Sequence, residues 1–114
     1  MFQKRTPYRN KKILQAAKGE ECLAQFPGCT GGGEDTVFCH LNESWAGKGM
    51  SQKADDCAGF FGCQHCHDIY DKRKTYNEYS DNFNALDWYR TKDAYILLAY
   101  YRTIRRLLDK GVLK

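Results

Sequence analysis

The number and spacing of the cysteines constrain this chain more than any other feature. Six cysteines occur in 114 residues, and four of them form two pairs. Cys63 and Cys66 form a C-x-x-C pair at a predicted loop-to-helix junction. Cys22 and Cys29 flank a six-residue connector that contains a proline–glycine turn. Such a turn and such a junction each bring two thiolates together, so the four cysteines predict one tetrahedral, structural Zn²⁺ site.

Other interpretations of the cysteines are weaker. The N-terminal segment is basic and no apolar segment follows it, so no secretory signal is predicted and the expected location is cytoplasmic. Disulfides are rare in such a reducing compartment. A thioredoxin-like redox pair at the C-x-x-C would leave the other pair unexplained, and no βαβ pattern surrounds it. Cys39 and Cys57 are predicted to be buried as small apolar residues.

The middle of the chain is rich in glycine and needs additional stabilisation. Residues 19–62 contain nine of the ten glycines, so this segment buries little apolar surface against its ordering entropy. Residues 36–41 predict a strand, and Phe60-Phe61 predicts a second, weaker one. A structural zinc site contributes about 10–16 kcal/mol of apparent binding energy, which is comparable with the net stability of a domain. We therefore expect zinc to hold this segment together.

Helical patterns flank the glycine-rich segment. Asn10 is a plausible N-cap for a short helix that ends by Gly19, and a second helix is predicted to begin near Cys63 and extend through Lys74. A long amphipathic C-terminal helix is predicted over residues 82–111. Its apolar stripe, predicted to face the core, consists of Leu97, Tyr100, Tyr101, Ile104, Leu107 and Leu108.

The charge balance is mildly basic. The chain has 18 Lys and Arg and 14 Asp and Glu, a net charge of 18 − 14 = +4. Residues 1–12 form a basic arm, and residues 72–74 form a second basic cluster. The arm either contacts phosphates or is simply solvated, and both interpretations remain open. Length and composition predict one domain over residues 1–114 without a membrane span.

A second group of residues suggests catalytic chemistry. His67 and Asp71 are four residues apart, on one face of the predicted helix, and such a pair can hold a divalent ion. His40, at the end of the first predicted strand, could deprotonate a water near that ion. A strand with a histidine, a second strand and a helix with the metal ligands together form a ββα-metal layout.

These residues resemble the HNH endonucleases. The pattern of cysteines carries the resemblance, together with residues 63–71, which read Cys-Gln-His-Cys-His-Asp-Ile-Tyr-Asp. A closer resemblance, over most of residues 13–114, is to the YbcO-like family of phages and prophages, a family of proposed nucleases. The segments that carry it are residues 16–22, the Phe-Pro-Gly turn at 26–28, the Gly-Lys-Gly loop at 47–49, Asp56, residues 63–71, and residues 102–103 and 110–112.

The resemblance implies an α+β fold, namely a small zinc-stapled ββα-metal (HNH-like) domain with a short N-terminal helix and a long C-terminal amphipathic helix. It implies a phage- or prophage-encoded, metal-dependent endonuclease that hydrolyses DNA in the cytoplasm of a bacterial host cell. His67 and Asp71 would hold Mg²⁺ or another divalent cation, and His40 would activate a water. Replication or recombination proteins of the phage or host are further candidate partners.

The sequence departs from the HNH pattern at two positions. Cys39 stands where HNH enzymes place an aspartate before the strand histidine. The middle asparagine has no clear counterpart, and Asp55 and Asp56 are nearest to its position. Two other functions therefore remain open: a zinc-containing nucleic-acid-binding module without catalysis, and a protein-interaction module. Cleavage that depends on His40 would distinguish a nuclease from both.

Overall fold

The structure is a computed structural model that describes residues 6–42, 53–76 and 85–113. Within these ranges the chain forms three helices and one β-hairpin, an α+β architecture with a long C-terminal helix. In chain order the elements are α1 (Lys11–Ala16), β1 (Val37–His40), β2 (Gly59–Gly62), α2 (Gln64–Tyr70) and α3 (Ala85–Asp109). None of the helices in the described ranges combines the length and apolarity needed to cross a bilayer. The predicted Gly-Lys-Gly loop at 47–49 and the first five residues of the basic arm lie outside the described residues.

Local sequence explains where the helices begin and end. The Asn10 side chain accepts a hydrogen bond from the Lys12 amide at 3.0 Å, as the N-cap prediction required. The prediction that α2 extends through Lys74 is wrong, because Lys72 adopts a φ of +63° and breaks the helix after Tyr70. Helix α3 ends at Asp109, two residues before the predicted end, where Gly111 adopts a φ of +75°.

The hairpin has two distinct faces. Strands β1 and β2 are antiparallel, with Phe38 opposite Phe61 and Cys39 opposite Phe60. Because side chains alternate along a strand, Cys39 and Phe60 share one face, and Phe38, His40 and Phe61 share the other. Helix α2 packs on the first face and α1 packs on the second, whereas α3 contributes Ala99 to the first cluster and Leu107 to the second. His40, the last residue of β1, therefore starts on the face opposite to α2, at the end of the sheet.

Helix α3 buries Leu107 of the predicted stripe, as expected, but its other buried residues are small side chains outside the stripe. It buries Ala99, Thr103 and Leu107, whereas Leu97 and Tyr101 are 68% and 65% exposed. The Phe61 amide donates a hydrogen bond to Thr103 Oγ1 at 3.0 Å, so the helix lies close to β2. The stripe prediction was wrong for these exposed residues because close approach of helix to strand selects small side chains, not the most apolar ones.

Ion pairs attach the C-terminal end of α3 to the start of the cysteine-bearing segment. Arg106 contacts both Glu20 and Glu21, and Lys110 Nζ lies 2.9 Å from Glu20 Oε2. The hydrogen bond from Lys110, aided by Arg106, holds the pKa of Glu20 below its ordinary value. This network fixes the chain immediately before Cys22.

Candidate metal centre and active site

The structure brings together the four cysteines that the spacing singled out. The sulfurs of Cys22, Cys29, Cys63 and Cys66 all lie within 4.8 Å of one another. The Cys22–Cys66 and Cys29–Cys63 sulfur distances are 3.6 and 3.8 Å. Four sulfurs about 2.3 Å from a tetrahedral ion are about 3.8 Å apart. The donor set and its spacing therefore fit a metal ion such as zinc.

The connector between the first two cysteines is a tight turn with a strict requirement for glycine. Gly28 has a φ of +85°, and a Cβ added there would lie 2.8 Å from His65 Nε2. Gln25 also adopts a left-handed conformation, with a φ of +53°. The Cys29 amide donates to the Phe26 carbonyl at 2.9 Å, which closes the turn. The other pair flanks the first turn of α2, since Cys63 is its N-cap residue.

Burial and neighbouring thiols shift the pKa values of Cys22, Cys29 and Cys66. The hydrogen bond with Cys66 lowers the pKa of Cys22 to about 4. The same hydrogen bond, together with burial, raises the pKa of Cys66. Burial raises the pKa of Cys29 to about 11. Four thiolates this close cannot all be charged without a counter-ion, and a bound divalent cation would supply the missing positive charge.

The two remaining cysteines lie outside this cluster. Cys39 is buried, as predicted, and burial raises the pKa of its thiol, so it stays protonated at neutral pH. Its Sγ lies 3.8 Å from the Val37 carbonyl oxygen. Cys57 is only partly buried, so the prediction holds less well there. A protonated Cys39 cannot replace the metal-ligating aspartate that HNH enzymes carry at this position.

His40 is held by a buried carboxylate that sequence analysis did not assign to it. His40 Nε2 lies 2.8 Å from Asp56 Oδ1, and the Asp56 side chain is 2% exposed. The Asn10 amide donates to the other Asp56 oxygen at 2.7 Å. Burial acts to raise the pKa of Asp56, but the bonds from His40 and Asn10 outweigh it and the pKa is lowered. An ionised Asp56 favours the proton on Nε2 of His40 and leaves Nδ1 as the acceptor.

His67 and Asp71 meet as their spacing predicted. His67 Nε2 lies 2.9 Å from Asp71 Oδ2, and both side chains are 24% exposed. Asn42 Nδ2 donates to the other Asp71 oxygen at 3.3 Å. The Asn42 amide also donates to the Tyr70 hydroxyl at 2.8 Å. These bonds join the C-terminal end of α2 to the residues that follow β1.

The structure therefore places the three residues proposed from sequence in two separate pairs, with Asp56 as the fourth member. His40 pairs with Asp56 on one face of the sheet, and His67 pairs with Asp71 beside α2. Among the residues that the structure describes, the four cysteines are the only group of three or more His, Cys, Asp or Glu side chains close enough to hold one ion. The sequence had indicated Asp56 in two ways, by its part in the family resemblance and by its nearness to the missing middle asparagine, whereas Asn42 carried no signal.

Comparison with known proteins identifies the family. A family model described as "Putative nuclease YbcO" matches residues 11–111. The chain belongs to this family. A solved structure titled "Structure of a putative bacteriophage protein from Escherichia coli str. K-12 substr. MG1655" is 27% identical, with a TM-score of 0.58. The match covers 86% of this chain and 98% of that chain. No curated protein matches the chain.

Proposed function

We propose that the protein is a zinc-stabilised, metal-dependent endonuclease that hydrolyses DNA phosphodiester bonds. The observation that carries this proposal is the contact between His67 and Asp71, which Asn42 joins to the end of the strand that bears His40. The family model described as "Putative nuclease YbcO" supports it. Histidine and carboxylate ligands are typical of nuclease ion sites. The YbcO match and the bacteriophage neighbour support a role in phage DNA metabolism.

The proposed ion ligands are His67 Nε2 and Asp71 Oδ2, which now contact each other. A divalent cation such as Mg²⁺ held there would polarise the scissile phosphate and stabilise charge on the departing 3′-oxygen. Asn42 orients the Asp71 carboxylate through its second oxygen, at 3.3 Å. Orientation of this kind is what fixes a ligand before the ion and substrate arrive.

His40 is the proposed general base. With Nε2 directed at Asp56, Nδ1 is the ring nitrogen that would accept a proton from the attacking water. Asp56 is a positioning residue in this scheme, since it holds the ring and compensates the imidazolium that forms. Asn10 in turn holds Asp56, so the N-terminal segment supports the base.

The proposed structural zinc would join the Cys22–Cys29 turn to the first turn of α2. Cys66 is next to His67 in that turn, so the zinc site would fix the helix on which the ion ligands lie. Zinc would thereby act on catalysis only through the position of α2. Thiolate ligands suit zinc, whereas histidine with carboxylate suits a harder ion.

Basic residues near the site are available for the DNA backbone. The side chains of Arg73 and Lys74 are 62% and 58% exposed, immediately after the proposed ion ligands. Arg9, by contrast, donates to the Ala54 and Lys53 carbonyl oxygens, so this residue of the predicted arm holds the loop before β2. Contacts from Arg73 and Lys74 to phosphates would position a duplex without reading its sequence.

A non-catalytic nucleic-acid-binding module is the second candidate function. The observation that favours it is the separation of His40 from His67 and Asp71, since each histidine already has a carboxylate partner. In that case both histidines would stabilise the fold, and a protein-interaction role would remain compatible with the zinc scaffold.

Cleavage of supercoiled plasmid DNA, with and without Mg²⁺ or Mn²⁺, tests the proposal. We expect ion-dependent nicking by the wild-type protein and a loss of at least about 10²-fold in His40→Ala, as for removal of a general base. His65→Ala is the matched control, because His65 contacts the Pro27 carbonyl oxygen and neither proposed pair. Salt-dependent DNA binding without cleavage under any of these ions would favour the binding module instead.

A further inference from the structure

A cavity of about 300 Å³ lies between the C-terminal end of α2 and the N-terminal half of α3. Its walls combine aromatic side chains with lysines, and these residues belong neither to the thiol cluster nor to the histidine pairs. Asn42 lines the cavity and also donates to Asp71, so the cavity begins beside the proposed ion site. The cavity is therefore placed to receive a part of the substrate that adjoins the reacting phosphate.

The aromatic wall is rigid on one side and accessible on the other. Trp88 packs against Phe26 and Tyr76, with ring centroids 4.8 and 5.3 Å apart. The Tyr76 hydroxyl donates to the Pro27 carbonyl oxygen at 2.5 Å, which fixes its ring as well. Tyr89, which follows Trp88 in α3, is 68% exposed. A fixed aromatic surface with an exposed tyrosine at its edge suits stacking of a nucleobase.

The charged residues of the cavity favour an anion. Lys72, Lys74 and Lys92 line it and Asp93 is the acid among the described lining residues, so their formal charge is 3 − 1 = +2. Lys74 lies 3.8 Å from Asp68, and Lys92 lies 3.9 Å from Asp93, with 58% and 40% of the lysine side chains exposed. Such long, exposed ion pairs are weak, so a phosphate can replace the carboxylates.

We propose that this cavity binds an unpaired nucleotide of a DNA strand, adjacent to the phosphate at the His67–Asp71 pair. The base stacks on Tyr89 and Trp88, and the lysines contact the flanking phosphates. A base can enter a cavity of this size only after leaving the duplex stack, which costs least where the strand is already single. The substrate class is thus DNA with a single-stranded segment, and its place beside the reacting phosphate rests on the proposed nuclease function.

Binding measurements without added divalent ions test the cavity separately from cleavage. Fluorescence anisotropy compares a labelled single-stranded oligodeoxynucleotide with a duplex of equal length, at one salt concentration. We expect the single strand to bind more tightly, and Tyr89→Ala to weaken that binding about five- to fiftyfold. Tyr101→Ala is the matched control, because Tyr101 is also exposed on α3 but does not line the cavity, and we expect less than a twofold change.

A second variant pair covers the charged wall. We expect Lys92→Ala to weaken single-strand binding and to reduce the slope of log affinity against log salt by about one, whereas Lys92→Arg retains both. Equal binding of single strand and duplex, equal effects of Tyr89→Ala and Tyr101→Ala, or tighter binding of a single-stranded RNA of the same sequence would overturn the proposal. A protein that cleaves no DNA yet shows the Tyr89-dependent preference supports the cavity and contradicts the nuclease. Cleavage of plain duplex that is indifferent to Tyr89→Ala contradicts the cavity alone.

Discussion

The thiol cluster and the histidine pairs differ in how their side chains converge and in how far they are buried. The four cysteine sulfurs lie within 4.8 Å of one another and three of these residues are buried, so the ligand set is complete in the folded chain. Both histidines of the other group are partly exposed, at 19% and 24% of their side chains, and each contacts a different carboxylate. A structural ion is part of the fold, and its ligands converge without a substrate. A catalytic site must leave room for its ion and its substrate, and the proposed ion ligands His67 and Asp71 contact each other in this structure.

The largest expected effect is loss of the thiol cluster. We expect Cys63→Ala or Cys22→Ser to lose bound zinc and to unfold the segment from residue 20 to 66. The cost is of the order of the whole stability, about 5–15 kcal/mol, because zinc-binding energy is folding energy. Elemental analysis and circular dichroism measure both outcomes, with Cys57→Ser as the control. Well-folded wild-type protein without zinc would contradict a structural role for the thiol cluster, and with it the contrast drawn with the histidine pairs.

The next effect separates His67 from its neighbour His65. We expect His67→Ala to lower cleavage by about 10²-fold or more while the zinc content stays at the wild-type level, because stabilisation of the leaving group is worth several kcal/mol. His65→Ala should retain most of the activity, with a small loss of stability from its contact with the Pro27 carbonyl oxygen. Cleavage assays and metal analysis on the same preparations compare them. Equal loss of activity in both variants would contradict the assignment of Asp71 as the ion partner.

A smaller effect is expected at the residue that holds the proposed base. Asp56→Asn keeps an oxygen for the Asn10 amide but presents an amide nitrogen or a weaker acceptor to His40, which disturbs its tautomer. We expect kcat to fall about 10- to 100-fold with little change in KM, as for loss of a residue that orients a ligand or base. Asp56→Glu, which retains the charge, should recover part of kcat. A parallel loss of thermal stability and activity in both variants would show that Asp56 is only structural.

The smallest effect concerns the ion pairs of α3. Lys110 and Arg106 lower the pKa of Glu20 below its ordinary value of 4.5, so its ionisation stabilises the fold above that pH. This stabilisation is lost as the pH falls through the lowered pKa of the folded state. We expect Glu20→Gln to reduce the free energy of unfolding by about 1 kcal/mol at neutral pH, as for a partly exposed ion-pair network.

Urea titrations at several pH values, within the range where both proteins fold, measure the difference between Glu20→Gln and the wild type. The difference should shrink towards acid pH, and Glu34→Gln, at an exposed carboxylate, should show no comparable trend. A difference that does not depend on pH would assign the effect to packing rather than to charge.

Local spacing predicted the features that depend on neighbours in the chain. The C-x-x-C at Cys63, the proline–glycine turn after Cys22 and the Asn10 N-cap all act within one turn of backbone, so residue type and spacing suffice. The two strands were predicted for the same reason, since residues 36–41 are β-branched and apolar and Phe60-Phe61 are aromatic. The i, i+4 spacing likewise brought His67 to Asp71.

Features that depend on the third dimension were missed. The contact between His40 and Asp56 requires the loop before β2 to fold back onto the N-terminal segment, which no periodicity shows. Helix α3 carries apolar residues on more than one side, and only the closeness of β2 selects Ala99 and Thr103 for burial. The early end of α2 follows from the left-handed backbone at Lys72, a residue type that gives no such signal.

The segment from Tyr8 to Asn10 helps to hold the candidate base His40 in place, although this segment is far from His40 in sequence. The Tyr8 amide donates to Asp55, the Tyr8 carbonyl accepts from the Asp56 amide, and Arg9 and Asn10 complete the contact. Deleting the first ten residues would therefore release the Asp56 carboxylate and, through it, the His40 ring. A peptide or domain fused directly at Tyr8 would disturb the same contacts. The N-terminal segment thus supports the proposed base at the end of β1 through the Asp56 carboxylate.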